Sequence, residues 1–110
     1  MSHTNASAKG AWGESLVCAN LLERGYEVFR SISPGSPCDL IAMRGDLLLR
    51  VEVRCAYFQH GGYTCATPDS SRHDLLALVT GDTGKVYWYP PLDEDLIEIE
   101  FSAKTRFKVV

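Results

Sequence analysis

Long hydrophobic runs are missing from this 110-residue chain. No stretch approaches the roughly 18 apolar residues that a membrane-spanning helix requires. The N-terminal MSHTNASAKG also lacks the apolar segment of a secretory signal. Both absences lead to the expectation of a cytoplasmic protein with no membrane partner. Closely paired cysteines are missing too. The four cysteines stand at 18, 38, 55 and 65 with no C-x-x-C pair. That argues against the common zinc and redox frameworks, in which one turn offers two sulfurs to one centre. Each lies in an apolar stretch, so free buried thiols are expected. Positive charge is not in excess, the formal net charge being −3. Bulk electrostatics therefore does not supply an affinity for nucleic acid. A cluster of metal-binding carboxylates would depress the net charge by itself. Gly61-Gly62 is followed by no Lys-Ser/Thr, so it is not a phosphate loop. No organic cofactor is expected.

What the chain does contain is an ordinary globular balance, 45% apolar and 23% charged. At this length that supports one core and one domain. Residues 1–8 are expected to be a flexible tail and 9–110 a single domain. From Ser7 to Arg24 the pattern is helical, with Trp12, Leu16, Ala19 and Leu22 on one face and Val17 and Leu21 widening it. Gly25 is placed to end the helix. Strands are expected at Tyr26–Ile32, Cys38–Met43, Leu47–Ala56, Tyr63–Ala66, Leu75–Thr80 and Lys85–Tyr89, and Leu96–Phe101 reads as either an edge strand or a short amphipathic element. The turn Ser33-Pro34-Gly35-Ser36-Pro37 separates the first two, and Arg44-Gly45-Asp46 suits a hairpin between the next pair. The consecutive leucines 47–49 suggest a strand covered on both faces at that end. The order, helix then strands, predicts an α/β fold: a mixed sheet, the helix on one face, the carboxylates gathered at one edge.

Three of those carboxylates stand out. Asp39 opens the second strand directly after the Pro-rich turn. Glu52 lies in the third, where alternation puts it on one face with Arg54 and sends Val51 and Val53 to the other. A hairpin between these strands brings Asp39 towards Glu52. Glu14 projects from the first helix in line with Val17, Cys18 and Leu21, and a charge on an apolar face is costly unless paired or metal-bound. Hard oxygen donors converging in this way suit Mg²⁺ or Mn²⁺. Each residue also has a plainer reading: Glu-x-Arg as an exposed cross-strand pair, Asp39 as a cap on backbone amides, Glu14 as a favourable charge near a helix start. His60, His73 and the aromatics Tyr87, Trp88 and Tyr89 read as solvated loop residues and strand packing respectively, with catalysis or base stacking as the sharper alternatives.

Lys9-Gly10-x3-Glu14, Gly25-Tyr26-x-Val28-x-Arg30, Pro37-Cys38-Asp39-Leu40-Ile41-Ala42 and Val51-Glu52-Val53-Arg54 together resemble the PD-(D/E)XK nuclease core. Archaeal Holliday junction resolvases and endonucleases encoded in group I introns are the nearest likenesses. The resemblance implies a restriction-endonuclease-like mixed sheet and a metal-dependent endonuclease that hydrolyses DNA phosphodiester bonds, on branched DNA or other specific structures. It implies a catalytic set of Glu14, Asp39, Glu52 and Arg54, with Glu14, Asp39 and Glu52 holding Mg²⁺ or Mn²⁺. Lys9, Arg30, Ser33 and Ser36 would contact nucleic acid, and a homodimer is the implied assembly. The family's motif ends in Lys, whereas this chain has Arg54. Arginine keeps the positive charge and donates in a fork but cannot act as a base. The alternative is a catalytically weakened nuclease-like domain that binds nucleic acid or a protein partner.

Overall fold

The computed structural model describes residues 6–33 and 35–110. The chain runs α1 (Ala6–Glu23), β1 (Glu27–Arg30), β2 (Leu40–Arg44), β3 (Leu47–Gln59), β4 (Gly62–Ala66), a 3-10 turn at Ser70–Arg72, β5 (Leu75–Thr80), β6 (Val86–Tyr89), β7 (Ile97–Glu100) and β8 (Lys104–Val109). Residues 6–8, expected in a tail, belong to the first helix; the rest of that tail, and Pro34 of the turn, lie outside the described residues.

α1 ends as its sequence demands. Gly25 adopts φ +86°, and the N–H groups of Gly25 and Tyr26 donate to the carbonyls of Leu22 and Leu21 at 3.0 and 3.1 Å. This is the glycine-based cap in which the two turn amides satisfy carbonyls the helix leaves open. The buried line of α1 is Gly13, Val17 and Leu21, with Trp12, Leu16 and Cys18 half-buried beside it. Ala19 and Leu22, expected on the packed face, are exposed. The spacing of the apolar residues admits a face rotated by one position, and contact with the sheet selects it. Gly13 explains the choice: a Cβ there would stand 2.4 Å from Cys55 Sγ, so only glycine lets α1 lie this close to β3.

β3 is the central strand. Its first half pairs antiparallel with β2, its middle pairs parallel with β5, and its last residues pair antiparallel with β4. β1 and β6 complete one part of the sheet; β4, β8 and β7 form a second part that continues from the end of β3. The sheet is therefore mixed, as expected. α1 covers one face through Val17, Leu21, Val51, Val53, Ala77 and Val79. On the other face Leu76, Leu78 and Tyr87 meet Cys65 and Phe107 of the second part.

Two expectations are corrected. Leu47 and Leu48 are exposed, Leu48 at 61%; burial on both faces comes further along, at Val51, Glu52 and Val53. Glu52 sits in the middle of the sheet rather than at an edge. The Gly61-Gly62 segment is a tight hairpin, with His60 and Gly61 both at positive φ and Gln59 paired with Gly62. β8 had no counterpart among the expected elements, although its K-T-R-F-K-V run alternates and buries Thr105 and Phe107.

Candidate active site

The site is assembled by the β2–β3 hairpin. Gly45, at φ +60°, closes it, and the register sets Leu40 opposite Val51. One residue before Leu40, the N–H of Asp39 donates to the Val51 carbonyl at 3.1 Å. There the chain turns away through Pro37, leaving the Val53 N–H without a backbone partner on that side. The Asp39 carboxylate takes it, Oδ2 accepting at 2.8 Å. The capping role expected of a lone Asp is thus filled, and it anchors Asp39 against the strand that carries Glu52.

Glu52 is 9% exposed. Its carboxyl is in hydrogen-bonding contact with that of Asp39, and its proton is retained up to about pH 7. Burial is the main cause; the bond to Asp39 and that residue's charge add to it, and Arg54 opposes them. Arg54 Nη1 lies 3.5 Å from Glu52 Oε1 and donates to the Val53 carbonyl at 3.1 Å, while its buried Nε finds no acceptor among the described residues. The expected sharing of a face by Glu52 and Arg54 holds.

Beside this pair opens a cleft of about 410 Å³, lined by Lys9, Gly10 and Glu14 from α1, Asp39, Val53 to Cys55 and Tyr57 from β3, and Cys65 and Ala66 from β4. Glu14 is half-buried in it. Its carboxyl is pushed up by burial and then by the charge of Asp39, with Arg30 pulling the other way. A second hollow, about 380 Å³, is bordered by Arg30, Ser33, Ser36 and again Asp39. Lys9, Glu14, Asp39 and Arg54 border the first hollow and Arg30, Ser33, Ser36 and Asp39 the second; Glu52 borders neither and is buried beside Asp39 and Arg54. Glu14 does not close on the pair: among the described residues no three acidic, thiol or imidazole groups stand together as a metal-binding cluster.

The remaining candidates have structural roles. Trp88 is buried and donates to Asn20 Oδ1 at 3.0 Å, tying β6 to α1. His73 places Nδ1 3.1 Å from the Asp69 carbonyl, and His60 is a turn residue. All four cysteines are free; Cys38 lies against the acids and its thiol is raised, chiefly by burial and then by the charges of Glu52 and Asp39. Tyr57 was not singled out from the sequence. Its signal was weak, an aromatic residue a few positions beyond Glu-x-Arg in a strand whose length was underestimated.

No protein-family model and no curated protein matches the chain. Among solved structures, a bacterial homing endonuclease shares the fold with a TM-score of 0.75 at 16% identity, over 94% of this chain and 75% of that one. The fold, one N-terminal helix packed on a multi-stranded sheet, is nuclease-like. Among the described residues no helix is long and apolar enough to cross a membrane.

Proposed function

We propose that the protein is a metal-dependent endonuclease of the PD-(D/E)XK type that hydrolyses phosphodiester bonds in DNA. The observation that carries this reading is the contact between the Asp39 and Glu52 carboxyls beside an open cleft, on a fold shared with a bacterial homing endonuclease.

The donor set fits a hard divalent cation. Mg²⁺ commonly takes one or two carboxylates and completes its shell with water and substrate phosphate, so two contacting carboxyls suffice and a third protein ligand is not required. Asp39 and Glu52 would hold the ion, with Glu14 facing Asp39 across the cleft. When bound, Mg²⁺ or Mn²⁺ supplies a more acidic water and neutralises charge on the phosphate oxygens. In the hydrolysis a water oxygen bonds to phosphorus and gives up a proton to solvent, the bond from phosphorus to the leaving sugar oxygen breaks, and that oxygen takes up a proton from solvent. Arg54 is placed to offset negative charge as it develops, but cannot remove the proton from water. Lys9 from α1, with Arg30, Ser33 and Ser36 around the second hollow, would position the backbone, since contacts of this kind set register on a nucleic acid.

A cleavage assay on linear, nicked, single-stranded and four-way DNA with Mg²⁺ or Mn²⁺ tests the reading. Asp39→Asn and Glu52→Gln should each lower cleavage by at least about a hundredfold, the scale of losing a charge stabiliser in a site, with the fold retained. Wild-type rates in Glu52→Ala would remove Glu52 from the mechanism.

Arg54 supports a second reading. Its guanidinium is engaged by Glu52 and its own strand, where the family places a lysine. A domain that binds nucleic acid or a protein but turns over weakly would use arginine in this way. Cleavage absent in the wild type and appearing in Arg54→Lys would select it.

A further inference from the structure

The cleft holds one large side chain that neither metal binding nor phosphate hydrolysis employs. Tyr57 lines it and is 43% exposed. Several other aromatic side chains cover one another. Phe58 meets Tyr63 edge-on at 5.3 Å, Tyr63 stacks on Phe107 at 5.2 Å and donates to Asp82, and Tyr89 tilts against Phe101 at 5.4 Å. Among the described residues Tyr57 takes part in no ring contact and no side-chain hydrogen bond. Packing therefore does not account for it. An aromatic ring left open to water on the wall of a cleft offers a flat apolar surface whose cover is still to come.

The composition of the wall indicates what that cover is. Lys9 from α1 and Arg54 from β3 supply two cations to the cleft, and Glu14 and Asp39, the acids assigned to the metal, line it with them. Tyr57 is four positions beyond Val53, whose N–H the Asp39 carboxylate holds, so ring and acid lie about 13 Å apart along the strand at ~3.3 Å per residue. That spacing corresponds to a few nucleotides of an extended strand. Cations beside an exposed aromatic surface are a means by which proteins hold single-stranded nucleic acid, the cations following the backbone and the ring taking a base face. A base inside a duplex is stacked on its neighbours and cannot offer that face; an unpaired one can.

We infer that Tyr57 is a stacking platform for an unpaired base, a few nucleotides from the phosphate bound at Asp39 and Glu52. The inference rests on the nuclease reading for the position of that phosphate. It narrows the substrate class to DNA with a single-stranded segment beside the cut site, such as a fork or a branch.

Equilibrium binding of the full chain to a labelled forked DNA and to a fully paired duplex of the same sequence tests it, by fluorescence anisotropy. Tyr57→Leu should weaken fork binding roughly ten- to hundredfold, the measured scale of one base stacked on an aromatic side chain, and leave duplex binding unchanged. Tyr57→Phe should bind as the wild type does. An unchanged ratio of fork to duplex affinity in Tyr57→Leu, or a wild type that binds neither DNA, overturns the inference. Cleavage of the same fork with Mn²⁺ is read separately. Selective fork binding without cleavage would sink the nuclease reading and leave the stacking role standing; cleavage with an unchanged ratio does the reverse.

Discussion

Glu52 shows at the scale of one residue what burying a carboxyl costs a small protein. Between pH 4.5, where a free glutamate ionises, and about 7, where Glu52 does so in the fold, the folded state holds a proton that the unfolded chain has released. Stability on this account is fully present below pH 4.5 and is lost as pH rises through 7. The loss is on the order of 3 kcal/mol at the top of that range. Glu52→Gln removes the titrating group while keeping its size and polarity, so its stability should be flatter across this range and exceed the wild type's at pH 8. Denaturant midpoints from pH 4 to 8 measure it. A wild-type slope surviving in Glu52→Gln would assign the dependence to another group. A site that is more stable with its charge removed is one retained for a purpose other than stability.

At the scale of elements, the approach of α1 to β3 decides where Glu14, Lys9 and Tyr57 meet. Gly13 permits it, and nothing smaller than glycine exists to replace it. Gly13→Ala should destabilise by roughly 1–3 kcal/mol, the usual cost of overpacking a filled core, since the new methyl would lie 2.4 Å from Cys55 Sγ. Cys55→Ala in the same chain should recover most of that loss, because it removes the obstructing sulfur. Urea midpoints of the single and double variants check both parts; additive losses would mean that the helix contact lies elsewhere. The hairpin is the second deciding element. Its turn was legible in Arg44-Gly45-Asp46, and once the turn is placed, period-two alternation alone puts Asp39 beside Glu52 and Glu52 on the face of Arg54. The helix face was less legible. Trp12, Leu16, Ala19 and Leu22 make as regular a stripe as Gly13, Val17 and Leu21, and the choice follows from which stripe is slim enough to lie on the sheet.

For the whole molecule, the two parts of the sheet share β3, so the strand that bears Glu52 and Arg54 is held from both faces by separate cores. Such a scaffold can keep the buried Glu52 and the half-buried Asp39 in place without help from the site itself. Binding of a divalent cation at Asp39 and Glu52 should then add to global stability. At pH 8, Mg²⁺ or Mn²⁺ at a hundredfold excess over its dissociation constant should contribute about 2.7 kcal/mol, raising Tm by several degrees, as measured by calorimetry. The gain should vanish in the Asp39→Asn/Glu52→Gln double variant; an equal gain there would place the ion elsewhere on the chain.

The sequence by itself determined the elements whose signals are local. These are the helix and its glycine cap, the β2–β3 hairpin, the strand at Leu75–Thr80, and the order of acids that brings Asp39 to Glu52. Each rests on turn chemistry or on alternation within a few residues, which no distant contact needs to complete. Tertiary structure alone decided that β3 is central, that its leucines lie open to water while Glu52 is buried, that β8 joins β4 and β7, and that Tyr57 faces the cleft beside Lys9. Those are matters of which surface covers which. Residues far apart in the chain settle them together, through volume, close approach and the loss of water.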